Sequence, residues 1–146
     1  MKTIHTEIGI DAPAPIVWDV ISDLKSWEKW NPIIKVSGPL AVGETLTIDV
    51  AMGGDKAKRL KPKIVRLVEG KELRWRGGML LGFVFQGEHG FRVSAEDKGR
   101  SRFEQFEVFS GLLSGVIVAR DGKRIETGFQ AINRLLKREA EARARA

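Results

Sequence analysis

The sequence contains no cysteine and no tyrosine, and only two of its 146 residues are histidines. Without cysteine, the chain can form neither a disulfide nor a thiolate metal site. The two histidines, His5 and His89, fall on separate predicted strands, which argues against a zinc site. We therefore expect no metal and no other cofactor.

Long hydrophobic runs are missing as well. No segment reaches the roughly 20 apolar residues of a membrane-spanning helix, and the N-terminus has no apolar core of the kind found in signal peptides. The sequence also has no G-x-S-x-G elbow, no Walker loop and no G-x-G-x-x-G that opens a helix after a strand. The missing apolar run and signal peptide predict a cytoplasmic protein that is not an integral membrane protein.

The chain carries a formal net charge of +6, which could indicate a nucleic-acid or membrane partner. One group of basic residues lies within 56–66, and most of the others decorate the last predicted helix. No aromatic residue interleaves with the first group, as stacking on bases would require. The charges therefore favour a solvated surface, and we expect no nucleic-acid partner.

The end of the sequence predicts one long helix, from about Gly115 to Ala142. Its apolar positions recur at spacings of three and four, which places them on one face: Val118, Gly122, Ile125, Phe129, Ile132 and Leu136. Gly128 lies near this stripe and either permits close packing or leaves room for something else. Residues 139–146, rich in Ala, Arg and Glu, are expected to fray.

Alternating polar and apolar residues, punctuated by turn signals, predict seven strands before that helix: Thr3–Ile10, Ile33–Ser37, Glu44–Met52, Arg59–Val68, Glu72–Gly78, Phe83–Ser94 and Ser101–Phe109. Two short helices separate the first two strands. The short turns between consecutive strands indicate an antiparallel meander. We therefore predict a single α+β domain over residues 1–146, in which a curved seven-stranded sheet wraps around the C-terminal helix.

Polar residues interrupt the apolar face of the last two strands. His89 shares a face with Phe85 and Phe91, and Gln105 and Glu107 share a face of the last strand with Phe103. We expect this face of the last strand to point into the core. The opposite face also mixes polar and apolar residues, so it is the alternative. Buried polar groups of this kind either satisfy one another or orient a ligand's polar end. A third interpretation makes His89 and Glu107 an acid–base pair.

Two apolar features have alternative interpretations. We expect Trp27 and Trp30 to anchor the core rather than to stack on a ligand. The segment Met79, Leu80 and Leu81 is an apolar connection where a polar one is usual. Such a tip indicates either the lip of a cavity or a contact with another chain, and a homodimer is left open.

Five short segments together resemble the SRPBCC proteins, the START-like, polyketide cyclase/dehydrase-type family that includes the birch pollen allergen. They are Ile10–Trp18, Trp27–Pro32, Leu73–Gly77, Gly87–Phe91 and Glu107–Leu113. The resemblance covers nearly the whole chain and implies a helix-grip fold with a hydrophobic cavity between sheet and helix. Members bind lipids, sterols or polyketides, and some cyclise or hydrolyse them. No catalytic residue is universal in the family.

The resemblance and the helix stripe together give a set of candidate ligand-binding residues: Trp30, Trp75, Phe85, His89, Phe91, Phe103, Gln105, Glu107, Ile125, Gly128, Phe129 and Ile132. The first hypothesis is that these residues bind a small hydrophobic or amphipathic ligand, such as a lipid, a polyketide-like molecule or an aromatic compound. The second is a cyclase- or hydratase-like enzyme that uses His89 and Glu107. The third is an interaction module with a filled core.

Overall fold

A computed structural model describes residues 1–51, 58–79 and 83–146, with only the backbone of Met79. Leu80 and Leu81 of the predicted lip lie outside the described residues. Among the described residues there are eight strands: β1 (Lys2–Ile10), β2 (Ile34–Ser37), β3 (Thr47–Val50), β4 (Lys58–Leu60), β5 (Lys63–Val68), β6 (Glu72–Met79), β7 (Phe85–Ala95) and β8 (Ser101–Ser110). The helices are α1 (Ala14–Ser22), α2 (Trp27–Trp30) and α3 (Ser114–Arg145), and a 3₁₀ turn occupies Leu24–Ser26.

The strands form two antiparallel sheets in place of the single seven-stranded sheet predicted from the sequence. The larger sheet has the order β1-β8-β7-β6-β5 and the smaller one has the order β2-β3-β4. The prediction was wrong at Pro62, which divides the predicted strand Arg59–Val68 because proline cannot donate to a ladder. Backbone bonds still hold the connection between β2 and β3 to the larger sheet: the Gly43 nitrogen donates to the Ile64 carbonyl of β5 at 2.8 Å.

Helix α3 packs against β1 and β8 of the larger sheet and sets the fold class. Its buried face includes Phe129, Ile132 and Leu136, at the three- and four-residue spacings predicted from the sequence. The predicted fraying of residues 139–146 was wrong, because Ala140 is fully buried and the Glu141 carboxylate accepts a hydrogen bond from the Asp11 nitrogen at 2.8 Å. No helix among the described residues is long and apolar enough to cross a membrane.

The core between α1, α2 and the larger sheet is built on packed aromatic rings. Trp27 is buried, and its indole nitrogen donates to the Ile21 carbonyl at 2.9 Å. The Trp27 and Phe91 rings meet edge to face at 5.5 Å, and Trp75 lies 4.9 Å from Phe91. Trp30 is half-buried and packs against this cluster. Both tryptophans of this segment therefore serve as core anchors.

On the outer face of the larger sheet, the packing of the Phe106 ring requires a glycine at position 90. The Phe106 ring lies over Gly90, and a Cβ at Gly90 would come within 2.3 Å of that ring. The guanidinium groups of Arg74 and Arg92 lie 4.9 Å and 5.0 Å from the centre of the same ring. The ring is therefore confined on several sides and has little room to move aside.

We expect Gly90→Ala to lower the free energy of unfolding by about 1–3 kcal/mol, because the added methyl forces the Phe106 ring and its neighbours to shift. The matched control is Gly9→Ala in β1, where a Cβ would meet only the tip of Arg100 at 4.0 Å. Urea unfolding of both variants measures the difference. Equal losses in the two variants would contradict a specific clash with Phe106.

Candidate functional site

A cavity of about 500 Å³ lies between α3 and the two sheets. Much of its wall is apolar: Ile34, Ile48, Val50, Leu60, Pro62, Trp75, Phe85, Ile117, Ile125 and Phe129. Gly77, Gly78 and Gly87 also line it. A cavity of this size is comparable with ligand pockets of about 300–1,000 Å³, and it contradicts the filled core of the third hypothesis.

The cavity opens towards solvent where β4, β5 and the first turns of α3 meet. Four charged residues line the cavity there: Lys58, Lys61 and Arg120, which are exposed, and Asp121, which is half-buried. Arg120 and Asp121 form an ion pair at 2.9 Å, and Asp121 also pairs with Arg124. The opening is therefore mainly basic, whereas the interior is mainly apolar.

Two titratable side chains face each other at the inner end of the cavity. His89 on β7 pairs in register with Glu107 on β8, and the His89 Nδ1 lies 3.9 Å from the Glu107 Oε1. His89 is buried, and the Glu107 side chain is 21% exposed. A Cβ at Gly87 would lie 2.2 Å from the Glu107 Oε2, so this glycine leaves the space that the carboxyl group occupies.

A chain of buried hydrogen bonds determines which nitrogen of His89 carries the proton. The Thr6 hydroxyl donates its only hydrogen to the main-chain carbonyl of Gln105 at 2.8 Å. It must therefore accept a hydrogen bond from the Asn133 side-chain nitrogen at 2.9 Å. The Asn133 oxygen then accepts from the Gln105 side-chain nitrogen at 2.7 Å. This leaves the Gln105 side-chain oxygen to accept from the His89 Nε2 at 2.9 Å. The His89 Nδ1 is therefore an unprotonated acceptor on the side of Glu107.

Burial shifts the two pKa values in opposite directions, because it disfavours the charged form of each group. It lowers the pKa of His89 from 6.5 to about 4, although the hydrogen bond to Gln105 acts in the other direction. Burial also raises the pKa of Glu107 from 4.5 to about 7. At neutral pH the site therefore holds a neutral imidazole beside a carboxyl group that keeps part of its proton.

The structure brings half of the predicted ligand-binding residues to the cavity: Trp75, Phe85, His89, Glu107, Ile125 and Phe129. The predicted inward face of the last strand is confirmed, because Phe103 and Gln105 are buried and Glu107 faces the cavity. Whether these residues bind a ligand stays a prediction.

The other predicted ligand-binding residues do not line the cavity: Trp30, Phe91, Phe103, Gln105, Gly128 and Ile132. Their placement was wrong because the cavity ends at His89, whose ring stacks on Phe91 at 4.5 Å and packs on Phe129 at 4.7 Å. Phe103 and Ile132 are buried in the core, and Gln105 contacts His89 from behind. Gly128 is a half-buried residue of α3.

Sequence analysis missed the part of the wall that comes from the smaller sheet and from the start of α3. Ile48 and Val50 alternate on one face of a predicted strand, so a signal for them was present. Asn133 was also missed, although it is a polar residue four positions after Phe129 on the buried side of α3. A polar residue at such a position signals a buried hydrogen-bond network.

His5 lies on the outer face of β1 as expected, half exposed. Its Nε2 is 2.9 Å from the Glu104 Oε1, and Glu7 is close to both. These carboxylates already pair with arginines, Glu104 with Arg92 and Glu7 with Arg102. The group therefore belongs to the surface ion-pair network.

Comparison with solved structures shows what this fold is similar to. The Zhui aromatase/cyclase from Streptomyces sp. R1128 superposes with a TM-score of 0.75 at 17% identity, covering 99% of this chain and 96% of that one. Ara h 8.0201 superposes with a TM-score of 0.73 at 14% identity, covering 97% of this chain and 98% of that one. TTHA0849 from Thermus thermophilus superposes with a TM-score of 0.75 at 13% identity, covering 98% of this chain and 99% of that one. These likenesses show the helix-grip fold alone.

Comparison of the sequence with curated proteins gives no match. The family model described as polyketide cyclase / dehydrase and lipid transport matches residues 1–141. This match covers nearly the whole chain and confirms the resemblance carried by the five short segments, as well as a fold with a ligand-binding hydrophobic cavity. The chain belongs to the polyketide cyclase / dehydrase and lipid transport family of the SRPBCC superfamily.

Proposed function

We propose that this protein binds a small amphipathic ligand in the cavity between the sheets and α3. The observation that carries the proposal is the contrast inside the cavity, where an extensive apolar wall surrounds the polar pair of His89 and Glu107. Binding sites for small molecules combine an apolar wall with a few polar groups in this way. The wall supplies affinity, and the pair fixes orientation.

The apolar body of the ligand would contact the aliphatic and aromatic side chains of the wall. Burial of apolar surface contributes about 25 cal/mol for each Å² removed from water. Ile125 and Phe129 on α3 and Trp75 on β6 all line the cavity. A flat or slender apolar group between them would be covered on both sides.

The polar end of the ligand would carry a hydroxyl group. A single oxygen can lie about 2.8 Å from both the His89 Nδ1 and the Glu107 Oε1, because these two atoms are only 3.9 Å apart. A hydroxyl can donate to the unprotonated nitrogen and accept from the protonated carboxyl group. A carboxylate offers no hydrogen to the His89 Nδ1, and its charge would be buried beside Glu107.

We expect dodecanol to displace the fluorescent reporter N-phenyl-1-naphthylamine at least about tenfold more effectively than dodecanoate does near neutral pH. His89→Phe should bind the reporter within about twofold of the wild type, because the reporter needs only the apolar wall. The same variant should lose much of the preference for dodecanol, since one hydrogen bond is worth about 0.5–1.5 kcal/mol. The measurement is a fluorescence displacement titration. A preference for dodecanoate in the wild type would contradict the proposed orientation.

A second candidate function is acid–base catalysis on a bound substrate, favoured by the juxtaposition of the unprotonated His89 Nδ1 and the Glu107 carboxyl group. In a β-hydroxy thioester, the His89 Nδ1 would take the proton α to the carbonyl. Glu107 would give its proton to the departing hydroxyl, which leaves as water while the carbon–carbon double bond forms. This hydratase-type step balances without a cofactor.

The test of the second candidate is the formation of the enoyl thioester from 3-hydroxydecanoyl N-acetylcysteamine, followed by ultraviolet absorbance. Turnover by the wild type that disappears in both Glu107→Gln and His89→Phe would establish the second candidate. Reporter binding without turnover would leave ligand binding as the function.

A further inference from the structure

Four large apolar side chains are exposed together where β7 begins and β8 runs into α3. We name this surface the apolar tip, defined by Phe83, Leu112, Leu113 and Val116. Phe83 and Val116 are each 65% exposed, Leu112 is 82% exposed and Leu113 is 41% exposed. None of the four lines the cavity. Contiguous exposed apolar residues of this size are uncommon on a soluble surface without a partner.

The backbone holds the apolar tip in place. The Leu112 nitrogen donates to the Phe83 carbonyl at 3.0 Å, and the Leu113 nitrogen donates to the Val84 carbonyl at 2.9 Å. Gly111 has a φ of +98°, and a Cβ there would lie 2.7 Å from the Val84 oxygen. Only glycine suits this close approach. The four side chains are thus presented by a fixed turn and by the first turn of α3.

Basic side chains flank the apolar tip. The Lys2 Cε lies 4.0 Å from the position of a Cβ on Gly115, the residue before Val116. Arg120 follows Val116 by one helical turn, and its side chain is 74% exposed. Arg120 pairs with Asp121 at 2.9 Å, and Arg124 pairs with the same carboxylate. Around this end of α3, Lys2, Arg120 and Arg124 therefore outnumber the carboxylate of Asp121, in a chain with a formal net charge of +6.

We propose that the apolar tip and its basic flank dock this protein on the surface of an anionic phospholipid bilayer. Exposed leucine, valine and phenylalanine side chains enter the boundary between headgroups and acyl chains, and flanking lysine and arginine attract anionic lipids. Among the described residues, the feature that favours a bilayer over a protein partner is the basic flank, because lysine and arginine beside an exposed apolar group attract anionic headgroups.

Docking would bring the cavity close to the bilayer. Val116 precedes Ile117 and Phe83 lies two residues before Phe85, and both Ile117 and Phe85 line the cavity. The docking surface itself is separate from the cavity and does not depend on what the cavity binds. The two proposals can therefore fail independently.

The experiment is sedimentation of the full chain with vesicles of phosphatidylcholine alone or with about one third phosphatidylglycerol. We expect the wild type to sediment with the anionic vesicles, much less with the neutral ones, and less again at high salt. The double variant Leu112→Ser, Val116→Ser should bind the anionic vesicles at least about tenfold more weakly.

Charge reversal supplies a matched pair of variants. Lys2→Glu lies beside the apolar tip, whereas Lys98→Glu makes the same change in the β7–β8 turn, at the opposite end of those strands. We expect Lys2→Glu to weaken vesicle binding severalfold and Lys98→Glu to leave it unchanged. Urea unfolding, which depends on neither proposal, verifies that each variant is folded.

Three results would overturn the proposal. The first is a wild type that sediments with neither kind of vesicle. The second is an equal loss of binding in Lys2→Glu and Lys98→Glu, which would indicate attraction by net charge alone. The third is a wild type that self-associates without vesicles while the double variant stays monomeric, since the tip would then be occupied by a second copy of the chain.

Discussion

Replacing Glu107 with glutamine is expected to stabilise the protein at about pH 8 by about 2–3 kcal/mol and to leave its stability nearly unchanged below pH 4.5. Burial raises the pKa of Glu107 from 4.5 to about 7, so the folded chain holds this proton more tightly than the unfolded chain. Each tenfold change in proton affinity is worth about 1.4 kcal/mol. The stabilising contribution of the proton is complete below the unfolded pKa and is lost as the pH rises through the folded pKa.

His89 has the opposite dependence, because burial lowers its pKa from 6.5 to about 4. Its contribution to stability is complete above the unfolded pKa and is lost as the pH falls. In the wild type the two dependences largely cancel between pH 4.5 and pH 6.5. Glutamine at position 107 removes the dependence of Glu107 and leaves that of His89. The variant should therefore become steadily more stable as the pH rises over this range, while the combined contribution of His89 and Glu107 in the wild type stays constant.

Urea unfolding of the wild type and Glu107→Gln at several pH values measures this effect as a difference between two chains. Groups common to both chains cancel in that difference. Glu126→Gln, at an exposed position of α3, controls for the removal of a negative charge. A constant difference between wild type and Glu107→Gln at all pH values would mean that the carboxyl group is not held in a buried, poorly solvated site.

The largest expected loss of stability comes from Phe91→Ala, at about 3–5 kcal/mol. Phe91 is buried against Trp27, Trp75 and His89, so truncation removes apolar contacts and leaves a void behind His89. Phe83→Ala is the matched control, because Phe83 is largely exposed and its truncation should cost less than about 0.5 kcal/mol. Urea unfolding of both variants provides the comparison.

Phe91→Ala also tests where the cavity ends. The variant should still bind N-phenyl-1-naphthylamine, because Phe91 lies behind His89 and does not line the cavity. Loss of reporter binding in a variant that remains folded would place Phe91 in the binding site, as the sequence alone had suggested.

Periodicity was sufficient to predict the fold class. The spacing of Phe129, Ile132 and Leu136 identifies the buried face of α3, and the alternation of each strand indicates an antiparallel meander. Periodicity is a local property, however, and it did not reveal that the chain changes sheets at Pro62. It also did not show that burial of Ala140 extends α3 to Arg145.

The site could be predicted only in part, because a residue's face in a sheet does not give its depth along the strand. His89, Phe91 and Val93 share one face of β7, yet only His89 reaches the cavity. The depth is set by Trp27 and Trp75, which fill the space around Phe91. Such packing between distant segments leaves no signal in a single sequence.

The most direct test of ligand binding in the cavity is titration of N-phenyl-1-naphthylamine with the wild type, Ile125→Trp and Ala119→Trp. Both positions lie on α3, but Ile125 lines the cavity and Ala119 is exposed outside it. Tryptophan at position 125 fills space that a ligand would occupy, so we expect at least about tenfold weaker binding, while Ala119→Trp binds like the wild type. Equal affinity in all three proteins would contradict the proposal that the cavity is the binding site.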